Sequence, residues 1–171
     1  MKFKKKKRKY VPVSDEMVKA ANAEKAAEKA AQEAEDILRL NEQDNLGMRY
    51  TLMHLYAALE DAESAQKLFE KYSDGEESPI FLALTLLYYK LDETDRAQKY
   101  LRQLTRVNKG TRAFVRDVIT DKVERVLSKI EKQGGVSPFS EEELVEIYDE
   151  NLPVYLGTPS FFEWLAYELK L

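Results

Sequence analysis

Met48 to Pro79 reads MRYTLMHLYAALEDAESAQKLFEKYSDGEESP, and Ile80 to Thr111, which follows directly, reads IFLALTLLYYKLDETDRAQKYLRQLTRVNKGT; the two repeat one another at an offset of 32 residues. In register, Leu52 falls on Leu84, Leu55 on Leu87, Tyr56 on Tyr88, Leu59 on Leu91, and Ala65-Gln66-Lys67 on Ala97-Gln98-Lys99. A period of this size marks stacked units, each a supersecondary element that cannot bury its apolar face alone. Within the first unit, Leu52, Leu55, Tyr56 and Leu59 form one helical stripe. Ala65, Leu68, Phe69 and Tyr72 form a second at the i, i+3, i+4, i+7 spacing of an amphipathic helix. Glu60-Asp61 is the turn between them, and Ser73 to Glu77 is a polar loop. Ser78 as cap and Pro79 at the first helical position then open the next hairpin, in which Ala97, Tyr100, Leu101 and Leu104 point inward.

These residues resemble the tetratricopeptide repeats. Each hairpin has a small residue early in its second helix (Ala65, Ala97), a large one four positions on (Phe69, Leu101) and an aromatic late in its first helix (Tyr56, Tyr88). Arg49 and Met53, then Phe81 and Thr85, stand where that family has Trp and Gly. A narrower resemblance is to small bacterial repeat proteins in which a unit opens with Asp-Asn-x-Gly-x-Arg, here Asp44 to Arg49, and which end with segments like Asn151-Leu152-Pro153 and Thr158 to Leu165. The resemblance implies an all-α fold of stacked antiparallel helical hairpins in a right-handed superhelix. It brings no assigned activity.

Outward from the repeats, the expected organisation is a basic disordered tail over 1–13 and one helical-repeat domain over 14–171, with units at 45–78 and 79–110 and C-terminal helices over 111–171. Ser14 is the expected cap of a long N-terminal helix running to about Leu40. Its inward stripe offers only methyl groups at Ala20, Ala23, Ala27, Ala30, Ala31 and Ala34, so Ala34, Ile37 and Leu38 are expected to dock it. Asn41 is read as its left-handed terminator and Asp44 as the cap of the next helix. A single helix is expected from Arg112 to about Lys132, on the stripe Val115, Val118, Ile119, Val123, Val126, Leu127 and Ile130, covering the end of the stack. After Gly134-Gly135, Ser140 and Glu143 read as a capping box, with Phe139 and Leu144 as its hydrophobic staple. A last helix carries Phe161, Phe162, Trp164 and Tyr167.

Composition sets the function classes. With 44% hydrophobic and 34% charged residues and few Gly or Pro, the chain has the make-up of a helix-rich globular protein. It has no Cys and one His, His54, which excludes thiolate chemistry and a His-based metal cluster. No phosphate-binding Gly-rich loop occurs, and the Ser73 to Glu77 loop lacks calcium-ligand spacing. The expectation is therefore no catalytic residue, no metal and no cofactor. No apolar run approaches the length that spans a bilayer or serves export, and the protein is expected in the cytoplasm.

Two surfaces remain as candidates. If the first helices of the units line a concave face, then Tyr50, His54, Leu86, Tyr89 and Lys90, with Arg49 nearby, suit an extended peptide or partner helix, because aromatics give rigid contact area and Arg pairs with carboxylates. The competing reading is that the C-terminal helices fill that face. Arg49 itself reads as a structural group paired with an acid of a neighbouring helix, with Gly47 admitting that neighbour. The second surface is the basic arm: seven of the 27 basic residues fall in the first nine positions, including Lys4, Lys5, Lys6, Lys7, Arg8 and Lys9, leaving 20 basic against 31 acidic residues elsewhere. Such an arm serves as a solvated tail, as an RNA or ribosome contact through phosphate neutralisation, or as a contact with an anionic membrane surface. The expected function is a protein-interaction adaptor; the alternative is an RNA- or ribosome-associated factor.

Overall fold

A helix that is apolar on every side must be surrounded, and Ser78 to Tyr88 is buried without interruption. A computed structural model describes residues 15–171. The described residues form ten helices and no strand. These are α1 (Asp15–Leu40), α2 (Met48–Leu59), α3 (Ala62–Tyr72), α4 (Ser78–Lys90), α5 (Thr94–Val107), α6 (Thr111–Ile119), α7 (Val123–Gln133), α8 (Glu141–Glu150), α9 (Leu152–Leu156) and α10 (Ser160–Leu169). Helix α4 is the central one, packed by α2, α3, α5 and α8. The all-α expectation holds for the described residues. The tail over 1–13 and the Ser14 cap lie outside them.

The two 32-residue segments are both helix, turn, helix. Their turns place Glu60 and Asp92, 32 positions apart, in the same left-handed conformation, each with φ 57. Ala65 and Ala97 are both fully buried, which lets the two helices of each hairpin approach closely. Leu52 and Leu84 are buried alike, as are Tyr56 and Tyr88. Asp61 caps α3 by accepting the backbone N–H of Ser64 at 3.0 Å.

Several local expectations are corrected. Asp44, rather than Asn41, takes the left-handed conformation, with φ 49. Its carboxylate caps α2 from four residues upstream, accepting the N–H of Met48 at 2.7 Å and of Arg49 at 3.1 Å. Gly47 is required by its own φ of 68, in which a side chain is strained, and not by an approaching helix. The glycine that does admit a neighbour is Gly110, where a Cβ would stand 2.1 Å from the backbone nitrogen of Glu141. On α1, Ala31, Ala34 and Leu38 dock while Ile37 is exposed.

The helix expected from Arg112 to Lys132 is two helices, broken at Asp121 with φ 56. Val118, Ile119 and Thr120 are β-branched and weaken the helix there, and the N–H of Lys122 turns back to the carbonyl of Asp117 at 2.8 Å. The break lets α6 pack on α10 while α7 folds onto α8. The capping box forms: Ser140 Oγ accepts the N–H of Glu143 at 3.3 Å, and Glu143 accepts the N–H of Phe139 at 3.0 Å. The staple does not, because Phe139 has φ 58 and is half exposed.

Candidate functional site

The Asp44 to Arg49 segment builds a charged cluster where α2 meets the start of α4. Arg49 donates from Nη1 to Asp44 Oδ2 and from Nε to Glu77 Oε1, both at 2.8 Å, and from Nη2 to the Tyr50 hydroxyl at 2.7 Å. The Tyr50 hydroxyl donates to the same Glu77 oxygen at 3.1 Å. Burial opposes the charge on Arg49, but the hydrogen bonds to Asp44 and Glu77 outweigh it and hold the guanidinium more firmly protonated than usual. Burial, then the charge of Glu77, pushes the Tyr50 phenol up to about 12. Arg49 is thus spent on ties within the chain, as the structural reading of it anticipated.

His54 has no exposed surface. Its Nδ1 lies 2.9 Å from the carbonyl of Tyr50 and its Nε2 2.7 Å from the hydroxyl of Tyr155 on α9. A carbonyl only accepts, so the proton sits on Nδ1 and Nε2 accepts from Tyr155. Burial pulls the imidazole down to about 4, leaving it neutral near pH 7. Leu86 is likewise fully buried. Tyr89 donates to Ser160 Oγ at 2.9 Å, and its ring packs 5.4 Å from Phe161 and 5.1 Å from Trp164 on α10. Lys90 reaches back to α2, donating from Nζ to the carbonyls of Ala57 at 3.0 Å and Ala58 at 2.8 Å. It adds a cation to the carbonyl end of α2, where the Ala57 carbonyl also accepts the N–H of Glu60 at 3.3 Å.

The expected concave face is therefore corrected. His54 and Leu86 are interior, Tyr89 is covered by α10, and Lys90 is a helix cap. The C-terminal helices fill the recess with aromatic side chains: Tyr155 packs against Tyr148, Phe161 and Phe162, with ring centroids 5.3, 6.2 and 5.7 Å away. These face-filling contacts were the competing reading of the sequence.

What remains open lies on the other side of α2. A groove of about 340 Å3 runs between the end of α1 and α3. Its apolar lining comes from Leu38, Leu52, Tyr56, Leu68 and Tyr72, and Arg39, Lys67 and Lys71 stand on its rim with Glu35 and Glu42. The Tyr56 hydroxyl donates to Glu35 at 2.7 Å, so burial and then that hydrogen bond push the phenol up from its usual value. The corresponding place in the second unit is closed. There Tyr100 lies 5.5 Å from Tyr88, with the rings 9° from parallel, and Arg96 stands 4.2 Å above the Tyr88 ring. The register gives Ser64 and Leu68 in the first unit for Arg96 and Tyr100 in the second. Smaller side chains on the same backbone plan leave the groove. The signal was present in the repeat alignment, in side-chain size rather than in polarity.

Among the described residues no group of three or more His, Asp or Glu is placed to hold a metal ion. None of the described helices is long and apolar enough to cross a membrane. Neither protein-family models, nor curated proteins, nor solved structures match this chain.

Proposed function

We propose that this chain is a non-enzymatic adaptor of the cytoplasm, a tetratricopeptide-like right-handed stack of helical hairpins that presents the groove between α1 and α3 to a peptide or helix of another protein. The observation that carries it is the contrast between a filled position in the second unit and an open, apolar one at its equivalent in the first. The common register of turns, buried alanines and tyrosines supports the tetratricopeptide-like reading and the resemblance to small bacterial repeat proteins. An amphipathic helix suits the groove: apolar side chains one turn apart meet Leu38, Leu52 and Leu68, and flanking acids meet Arg39, Lys67 and Lys71.

The second unit supplies the test. Ser64→Arg with Leu68→Tyr imports the side chains that close the equivalent place, so the variant should fold and lose its partner. Affinity capture from the native cell, with nuclease present, followed by mass spectrometry of wild type and variant reads the outcome. A protein held by wild type and lost by the filled variant supports the proposal; identical captures overturn it. The basic arm favours a second reading, an RNA- or ribosome-associated factor, in which nuclease abolishes capture and filling the groove changes nothing.

A further inference from the structure

A separate groove, of about 680 Å3, lies between the start of α2 and the face of α8. Leu46, Tyr50 and Ile147 contribute apolar surface, and Glu143, Glu146 and Glu150 line its α8 wall. Spacings of three and seven put those carboxylates on one helix face. Glu143 is engaged by the Asn108 amide at 3.2 Å and by the N–H of Phe139. Among the described residues, no Lys or Arg pairs with Glu146 or Glu150. Burial, then the neighbouring charges of Glu146 and Asp149, push the Glu150 carboxyl up, with no cation to oppose them. At the mouth, Leu46 is 73% exposed, an apolar side chain held out into solvent.

The chain carries the complementary chemistry itself. Lys2-Phe3-Lys4-Lys5-Lys6-Lys7-Arg8-Lys9-Tyr10 offers seven cations and an aromatic near each end. Reach decides whose arm it is. The groove lies at the N-terminal end of α2, whereas Ala27 of α1 shares a recess with Leu59 and Glu60 at the other end. Helix rise puts α2 at about 18 Å long and Asp15 about 18 Å beyond Ala27, so Asp15 stands roughly 36 Å from the groove. The six residues from Lys9 to Asp15 extend about 20 Å at most, and the thirteen from Lys2 about 45 Å, so only the tip of a fully extended arm spans that distance. A copy can therefore bring at most the tip, Lys2 to Lys4, to its own α8, whereas the arm of a second copy can lay the whole run there.

We propose that the basic arm of one copy docks in the acidic groove of another, its lysines along Glu143, Glu146 and Glu150 and its aromatics against the apolar floor. The contact is charge-led and hence weak and salt-sensitive. It is independent of the groove between α1 and α3.

The test is sedimentation velocity on the full chain, nuclease-treated, over a concentration series at low and at high salt. Wild type should self-associate at low salt and dissociate at high salt. Glu146→Lys with Glu150→Lys should weaken self-association at least tenfold, and so should Lys4→Glu, Lys5→Glu, Lys6→Glu and Lys7→Glu made together. Mixing the two charge-reversed proteins should restore a mixed assembly. Circular dichroism checks that both fold. A wild type that stays monomeric at low salt, association unaffected by either set, association that nuclease removes, or a mixture that fails to pair would each overturn the proposal.

Discussion

The floors of the two repeat units are the same and their walls are not. Leu52 and Tyr56 in the first unit, Leu84 and Tyr88 in the second, are buried in equivalent places. Over the second floor, Tyr100 stacks on Tyr88 and sits 6.2 Å from Phe69 and 6.3 Å from Phe81, themselves 6.2 Å apart. Each such aromatic pair contributes about 0.5–1.5 kcal/mol beyond the area it buries, and Arg96 over Tyr88 adds a cation–π contact. Over the first floor, Ser64 and Leu68 stand where Arg96 and Tyr100 stand in the second, with Leu38 of α1 beside them, and the space stays open. A repeat specifies where helices lie; the side chains that depart from it specify which surface is left open.

If that contrast is right, the same truncation must cost different amounts in the two units. Tyr88→Ala should destabilise by about 3–5 kcal/mol, and Tyr56→Ala by about 2 kcal/mol because its surroundings are already open to water. Urea unfolding of the two variants reads this, and equal losses would erase the distinction. The ends of the units differ as well. Gly110→Ala should cost about 3 kcal/mol or more by driving a Cβ into the backbone of α8, whereas Ser78, its mate in the register, already carries a side chain that accepts from the Asn108 amide at 3.1 Å. A thermal melt of Gly110→Ala within a degree of wild type would remove that close approach.

The register also pairs His54 with Leu86, two buried residues of which one titrates. The folded imidazole titrates at about 4 against an ordinary 6.5, so below pH 6.5 the unfolded chain takes the proton first. The contribution of His54 is whole above that pH and shrinks as pH falls toward 4, by about 3 kcal/mol in total. His54→Leu should flatten the fall while costing about 1–2 kcal/mol at neutral pH, since the Tyr155 hydroxyl loses its acceptor. Urea midpoints between pH 4 and 7 decide this; an unchanged pH profile in His54→Leu would place the acid sensitivity elsewhere. The smallest effect belongs to Ser64→Arg with Leu68→Tyr, which should add about 1 kcal/mol through one new aromatic stack and one cation–π contact. A loss of stability there would mean that the two units do not share a backbone plan.

Much of this was legible before any coordinates. Ala65 and Ala97, the tyrosines one turn before the end of each first helix, and the polar turns marked the helices, because apolar periodicity and turn residues are local quantities. Arg49 could be read as a structural ion pair, though not as one shared between Asp44 and Glu77 with Tyr50 as a third partner. The kink at Asp121 was harder, since Val118 to Leu127 keeps an unbroken helical stripe and only the crowding of β-branched residues hints at the interruption. The site misread was the concave face. Tyr50, His54, Leu86, Tyr89 and Lys90 have the composition of a binding surface, and the same composition serves equally well inside the fold: His54 and Tyr89 meet α9 and α10, Leu86 is interior, Tyr50 is tied to Glu77 and Lys90 caps α2.

The amino-acid sequence alone determined the helices of the two repeat units, their pairing and the apolar face of each, because those follow from side-chain spacing along a backbone of known pitch. Only the tertiary structure decided which apolar face stays uncovered. That depends on where Tyr155, Phe161 and Trp164 return in space, and the path of a chain through a turn such as Asn108 to Gly110 is set by contacts with residues far away in sequence.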